Sequence, residues 1–231
     1  MNTTFSEIIT NFAMQGNKDL NWQSELATSP ARFFRAKSAA VINAIPRFNR
    51  PPEMASFLTF SAPLYDDTTM TVDAEMPAGS VIESGLKNYE LCSVVIVHPD
   101  GSATPVQSTY DAMTGNVTLS EAVSAGSSID IDAYSDGQFD RELTLEQKRI
   151  LGLCVVTDWF YRFSNDWLNM TPKIKDKTFD VGRESAQMTA NTAKYKEMEA
   201  MLNDALLRYE INVAHRNVVN RFGSVTRLTR M

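Results

Sequence analysis

Glycine is sparse and widely scattered in this chain, and its spacing excludes two large classes of nucleotide enzyme. No two of the ten glycines lie closer than Gly79 and Gly85. A Walker loop needs two glycines five apart, and a dinucleotide fold needs them two and three apart, so neither phosphate cradle is encoded. Histidine is scarcer still. His98 precedes the turn sequence Pro99-Asp100-Gly101 and His215 lies in a basic tail. Neither has a partner at metal-ligand spacing, and no nucleophile motif accompanies His98, so histidine metal sites and Ser-His-Asp or Cys-His catalysis find no support. The two cysteines, Cys92 and Cys154, stand far apart without a CxxC. This excludes a zinc ribbon and a disulfide framework, and leaves two small buried hydrophobes, reduced in a cytoplasmic setting. The aspartates of Ser128-Ile129-Asp130-Ile131-Asp132 and Ser135-Asp136-Gly137 break calcium-loop spacing at Tyr134, and no glutamate closes a loop. They read as solvated strand edges. No catalytic residue, metal or cofactor is expected, and the chain reads as a non-enzyme.

Long hydrophobic runs are missing as well. The longest, Ile150 to Phe163, is too short to span a bilayer and carries Asp158 and Arg162. The first residues lack a basic start and an apolar stretch, so a soluble chain with no membrane contact is expected. Basic residues are outnumbered 22 to 28, a formal net charge of −6. Broad nucleic-acid binding is therefore disfavoured, because phosphate neutralisation supplies most of that affinity.

What is present is an ordinary globular composition, 43% hydrophobic and 22% charged over 231 residues, divided into four sections of different charge. Residues 1–62 form an N-terminal helical and extended arm. Ser29 reads as a capping hydroxyl with Pro30 at the first helical position; Phe34, Val41 and Ile45 make one stripe, and Pro46 stops the helix. The prolines of Arg47-Phe48-Asn49-Arg50-Pro51-Pro52 then require an extended segment. Residues 63–140 form an acidic β-module in which Lys87 faces thirteen carboxylates. Leu91–Val97 is apolar on both faces and reads as a central strand. Turns at Pro99-Asp100-Gly101 and Thr114-Gly115-Asn116 fold the chain back, while Met70–Val72 and Val81-Ile82 supply edge strands. Ile129, Ile131 and Ala133 alternate with Asp130, Asp132 and Tyr134, one face inward and one in water.

Residues 141–213 form an α-helical hairpin. Thr144-Leu145-Glu146-Gln147 is a capping box, and the helix it opens runs to about Met170. A second helix, roughly Arg183 to Val213, carries a seam at Met188, Tyr195, Met198, Leu202, Ala205 and Tyr209. Residues 214–231 form a basic tail, read as extended because Asn212, Asn217, Asn220, Gly223 and Ser224 break its periodicity. The fold class is α+β: a small antiparallel β-sandwich or barrel module with an N-terminal helix and a C-terminal long-helix hairpin.

The first hairpin helix carries more apolar surface than one partner helix covers. Exposing Trp159, Phe160, Phe163 and Trp167 would forgo roughly 6 to 12 kcal/mol together. Two accounts of the missing cover stand open: the rest of the same chain, or neighbouring copies in a ring, with Val156, Trp159, Phe160, Phe163, Trp167, Tyr195 and Met198 as the interface.

The order of β-module, Leu143-Thr144-Leu145-Glu146-Gln147, aromatic helix, Ile174-Lys175-Asp176-Lys177 loop and long Ala/Met/Tyr helix resembles head-to-tail connector or adaptor (neck) proteins of tailed bacteriophages. The resemblance covers mainly residues 129–213 and is one of pattern and order. It implies a structural virion protein, assembled in the host cytoplasm as a homo-oligomeric ring, dodecameric in that likeness, which joins the portal of the DNA-filled head to another neck or tail protein. It also implies a portal-docking tail with Arg216, Arg221, Phe222, Arg227 and Arg230, and channel-facing Asp130, Asp132 and Asp136 that let DNA pass without specific binding. The alternative is a β-sandwich binding module of a baseplate or surface protein, recognising a saccharide or protein ligand; it would need aromatics at an exposed edge, and Tyr89, Tyr110 and Tyr134 are few and scattered.

Overall fold

The computed structural model describes the backbone of residues 2–16, 20–170 and 181–228, with side chains described throughout except at 16, 20, 21, 55, 163–170, 181–188, 191 and 218–228. The architecture is α+β and falls into two compact units, each drawing on three stretches of sequence. Met1–Glu7, Lys18–Ala39 and Phe60–Arg141 build the first; Ile8–Asn17, Ala40–Thr59 and Glu142–Met231 build the second. The N-terminal section is thus no module of its own. Its pieces are shared out between the units, because its short helices bury their apolar faces only where a sheet or a longer helix offers cover.

In the chain's first part, α1 (Phe5–Ile8) runs through a π-helical turn, Ile9–Ala13, into α2 (Met14–Gly16), followed by α3 (Leu20–Thr28) and α4 (Pro30–Ala44). The strands of the first unit are β1 (Phe60–Ser61), β2 (Leu64–Thr71), β3 (Val81–Glu83), β4 (Leu91–Val97), β5 (Ala103–Val106), β6 (Ser108–Asp111), β7 (Asn116–Leu119), β8 (Ser128–Ser135) and β9 (Gln138–Phe139). All their pairings are antiparallel. A four-stranded sheet has the order β2-β8-β4-β5, a three-stranded sheet the order β3-β7-β6, and β1 pairs with β9. Leu91–Val97 is central and the segments at Met70 and Val81 lie in edge strands, as the sequence pattern requires. Val94, Ile96, Ile129 and Ile131 from the larger sheet share one core with Ile82, Val117 and Leu119 from the smaller.

The other face of the larger sheet differs from expectation. Asp132 is 3% exposed and Tyr134 2% exposed, so this face does not lie in water. The first turns of α4 cover it. The Ala31 N–H donates to Ser93 Oγ (2.9 Å), the Phe34 ring stacks on Tyr134 (5.9 Å), and Ser38 Oγ hydrogen-bonds the Tyr134 hydroxyl. Alternation of apolar and polar residues along β8 is real, but the polar set is matched to a helix about a hundred residues away in sequence. Ser29 Oγ is buried without a hydrogen-bond partner. The hydroxyl serving the start of α4 comes from the neighbouring strand, while Pro30 sits at the first helical position.

In the second unit, a 3₁₀ turn (Ile45–Arg47) follows Ala44, and α5 (Met54–Phe57), α6 (Leu145–Met170) and α7 (Val181–Leu228) complete the elements. Between Arg47 and Pro52 the chain makes no free extended arm: Phe48 is fully buried, its ring edge-on to Tyr209 at 5.4 Å. The capping box forms in both directions, Thr144 N–H donating to Gln147 Oε1 (2.8 Å) and Gln147 N–H to Thr144 Oγ1 (3.3 Å). The two long helices form the expected antiparallel hairpin. Gln147 Nε2 donates to the Tyr209 hydroxyl (2.8 Å), and fourteen residues along each helix Tyr161 meets Tyr195 at 5.7 Å. The seam on α7 is Met198, Leu202, Leu206 and Tyr209, all buried, with Tyr195 and Ala205 half-buried.

The basic tail is corrected by the same helix. Residues 214–228 continue α7. Once a helix is nucleated, each added residue gains a backbone bond, and isolated asparagine, glycine and serine cost only about 0.5–1 kcal/mol each against alanine, too little to end it.

Candidate assembly surface

The residues proposed for a ring interface fall into three groups. Val156, Phe160 and Met198 are buried within the chain and offer nothing to a neighbour, which corrects their assignment. Trp159 and Tyr195 are half-buried. The side chains of Phe163 and Trp167 lie outside the described residues. Among the described residues, α6 is covered by α7 on one side and by the π-helical turn Ile9–Ala13 on another. That second contact depends on Gly152, where a Cβ would stand 2.5 Å from the Phe12 Cβ and 2.9 Å from its backbone carbon. A glycine inside an apolar helical run is the sequence signal for such close approach.

Beside this cover sits a charged cluster. Asp158, 7% exposed, lies 3.3 Å from Arg47 Nη2 and 2.9 Å from Arg162 Nε. The Arg47 guanidinium also faces the Tyr161 ring at 5.6 Å, and Tyr195 donates to Glu199 Oε1 (3.1 Å). Asp158 Oδ1 accepts from Arg47, while Oδ2 is buried beside Arg162 without a hydrogen bond. Cys154 is near this charge but fully buried, and desolvation pushes its thiol up to about 12 despite the Arg47 charge.

Besides Leu145, Tyr161 and Met201, the hairpin leaves the outward side of α7 exposed. Leu207 is 46% exposed and Ile211 58%, one turn apart, and Ala214 one turn further is exposed too. Sequence spacing continues this row at Val218, Val225 and Leu228. Arg208 flanks it, bonded to Asp204 (2.9 Å), and Arg216 reaches Glu146 (3.2 Å). Arg216 is the only member of the proposed docking tail whose side chain is described. Arg221, Phe222 and Arg227 have a helical backbone, and Arg230 lies outside the described residues.

The proposed channel-facing aspartates are engaged inside the first unit. Arg32 Nη2 lies 3.0 Å from Asp132 and 3.7 Å from Asp130, and Arg35 Nη1 2.9 Å from Asp67 and 3.9 Å from Asp132. Thr69 donates to Asp130 (2.9 Å). Burial raises the Asp132 carboxyl above its ordinary value, against the lowering pull of Arg32 and Arg35, while Asp67 adds to the rise. Asp136 accepts from the Ser6 N–H (3.1 Å) and from the Tyr134 hydroxyl (2.9 Å), which holds the N-terminus to the sheet. Asp132 therefore faces no channel: it is the buried anchor of α4.

A solvent-open cleft of about 510 Å³ lies between α4's start and β4, β5 and β6, lined by Thr28, Pro30, Cys92, Ser93, Gln107 and Ser108 among others. Its lining includes no carboxylate, imidazole or amine, and burial together with the Asp132 charge pushes the Cys92 thiol up to about 11. The tyrosines considered for ligand recognition make no exposed platform. Tyr134 is buried, Tyr89 and Tyr110 pack against the sandwich core, and the Tyr110 hydroxyl donates to the Leu86 carbonyl (2.7 Å). Among the described residues no three His, Cys, Asp or Glu side chains could hold a metal ion, and no helix is long and apolar enough to cross a membrane. Comparison with family models, curated proteins and solved structures returns no match.

Proposed function

We propose that this protein is a structural assembly subunit whose copies form a ring in the neck of a tailed bacteriophage, between the portal and the tail. The observation that carries the reading is the row Leu207, Ile211 and Ala214, left exposed on a helix whose opposite side buries Met198, Leu202, Leu206 and Tyr209 in the hairpin. A helix apolar on two opposite sides serves two partners, and the chain supplies one. The phage assignment rests on the likeness in element order. It is supported by the separation of charge: residues 63–140 carry one lysine against thirteen carboxylates, while five arginines and a histidine from Arg208 onward face Glu210 alone. A mostly acidic module beside a DNA path repels the phosphate backbone and lets it slide.

Negative-stain imaging of the purified protein, alone and mixed with the portal and tail proteins of its virion, tests this reading. Rings that add to a portal are the expected result. Isolated particles that bind neither neighbour would refute it.

A further inference from the structure

Two surfaces of this chain have matching chemistry. On α7, Leu207 and Ile211 stand exposed at the start of the cationic end, flanked by Arg208 and His215. On the free edge of the four-stranded sheet, β2 exposes Leu64 (65%) and Tyr65 (53%) beside Asp66 and Asp67. β2 pairs with β8 along its whole length, and no strand among the described residues pairs with its other side. An eight-residue sheet edge with two large apolar side chains is a template for unwanted pairing, and proteins commonly guard such edges by laying a helix over them.

We propose that the outward face of α7 docks on the β2 edge of a second copy, Leu207 and Ile211 against Leu64 and Tyr65, with the cationic end of the helix over Asp66 and Asp67. This rests on the ring reading and names the contact that builds the ring. Leu64 and Tyr65 are exposed on their unit, and Leu207 and Ile211 on theirs. Charge selects the pairing. Two α7 faces laid together would bring one arginine-rich end against another or against neutral helix, and two β2 edges would oppose aspartates. Helix on edge sets the basic residues from His215 onward against Asp66, while Asp67 keeps its bond to Arg35 and Arg208 its bond to Asp204. Such a contact is head-to-tail: each copy uses its helix on one neighbour and its edge on the other, and repetition closes into a ring where the rotation between copies divides a full turn.

Complementary variants of the full chain test it in sedimentation velocity. Leu207→Asp with Ile211→Asp breaks the helix face and leaves the edge. Leu64→Lys with Asp66→Lys breaks the edge and leaves the helix. Each variant alone is expected to sediment as one chain, with the unfolding midpoint of the wild type. Their equimolar mixture is expected to form a dimer and nothing larger, because one intact contact survives in each pair. Assembly of either variant alone to the wild-type size, or a mixture that stays monomeric while both variants remain folded, overturns the contact and leaves the ring reading standing. A wild-type chain that never self-associates overturns both.

Discussion

Gly152 on α6 and Phe12 in the π-helical turn approach so closely that a Cβ on the glycine would stand 2.5 Å from the phenylalanine Cβ. Helix propensity alone favours alanine over glycine by about 1 kcal/mol in a helix interior. Here the obstructing atoms include the backbone carbon of Phe12 and the Ala13 nitrogen, which no side-chain rotation clears. Gly152→Ala is expected to lower stability by about 1–3 kcal/mol, opposite in sign to propensity. Chemical denaturation measures it; an unchanged or raised midpoint would show that the turn does not lie on α6 as described.

Gln147 serves both helices of the hairpin at once, closing the capping box with Thr144 and donating to the Tyr209 hydroxyl. Gln147→Ala leaves the Thr144 N–H and the tyrosine without these partners, so a loss of about 2–3 kcal/mol is expected, against about 1 for Thr144→Ala. Equal losses in thermal unfolding would mean that the bond to Tyr209 carries no weight.

The Asp132 carboxyl predicts a pH dependence of definite sign. Its folded value is raised above the ordinary 3.8, so the folded state binds the proton more tightly than the unfolded chain does. The contribution of this group to stability is greatest in acid and falls as pH rises from about 3.8 through the raised value. The groups facing it are Arg32, Arg35 and, further along the sheet, Asp67 and Asp130. Unfolding free energies of the wild type and Asp132→Asn, compared across acid pH, should draw apart with the wild type losing ground as pH rises. A difference that is flat with pH, or of opposite slope, contradicts the assignment.

Neither thiol should behave as a nucleophile. With Cys92 raised to about 11 and Cys154 to about 12, roughly one thiolate in a thousand or fewer exists at pH 8. An aromatic disulfide reagent is expected to label both cysteines promptly in denaturant and neither at comparable rate in the native protein. Prompt labelling of native Cys92 would reopen the cleft it lines as a reactive site.

The sequence made local signals legible and long-range ones not. The capping box at Thr144 and the proline that starts α4 need only a few neighbouring residues, and both stand where the pattern puts them. The same holds for the β4 core strand and the edge strands, since alternation and turn residues are written within a dozen positions. Asp132 misled because its cover, Arg32 and Arg35, comes from another section, and an aspartate on an alternating strand reads as solvated until that helix is in place. Ser29 misled for a related reason: the strand serine Ser93 took over its capping role. The sequence leaves the cover of α6 open between the rest of the chain and neighbouring copies. Among the described residues the π-helical turn and α7 supply that cover, and an unpartnered face is on the outward side of α7, where leucine and isoleucine one turn apart lie among charges. The basic end of the chain looked irregular because asparagine and glycine interrupt it, yet it extends a helix already nucleated.

The most direct test of the account is the mass of the purified full-length protein in solution, read by light scattering across a wide concentration range. Assembly through α7 and the β2 edge predicts a discrete species at a whole-number multiple of the 25.8 kDa chain that persists on dilution into the low micromolar range. A single 25.8 kDa species at every concentration, unchanged when the portal and tail proteins are added, would contradict it.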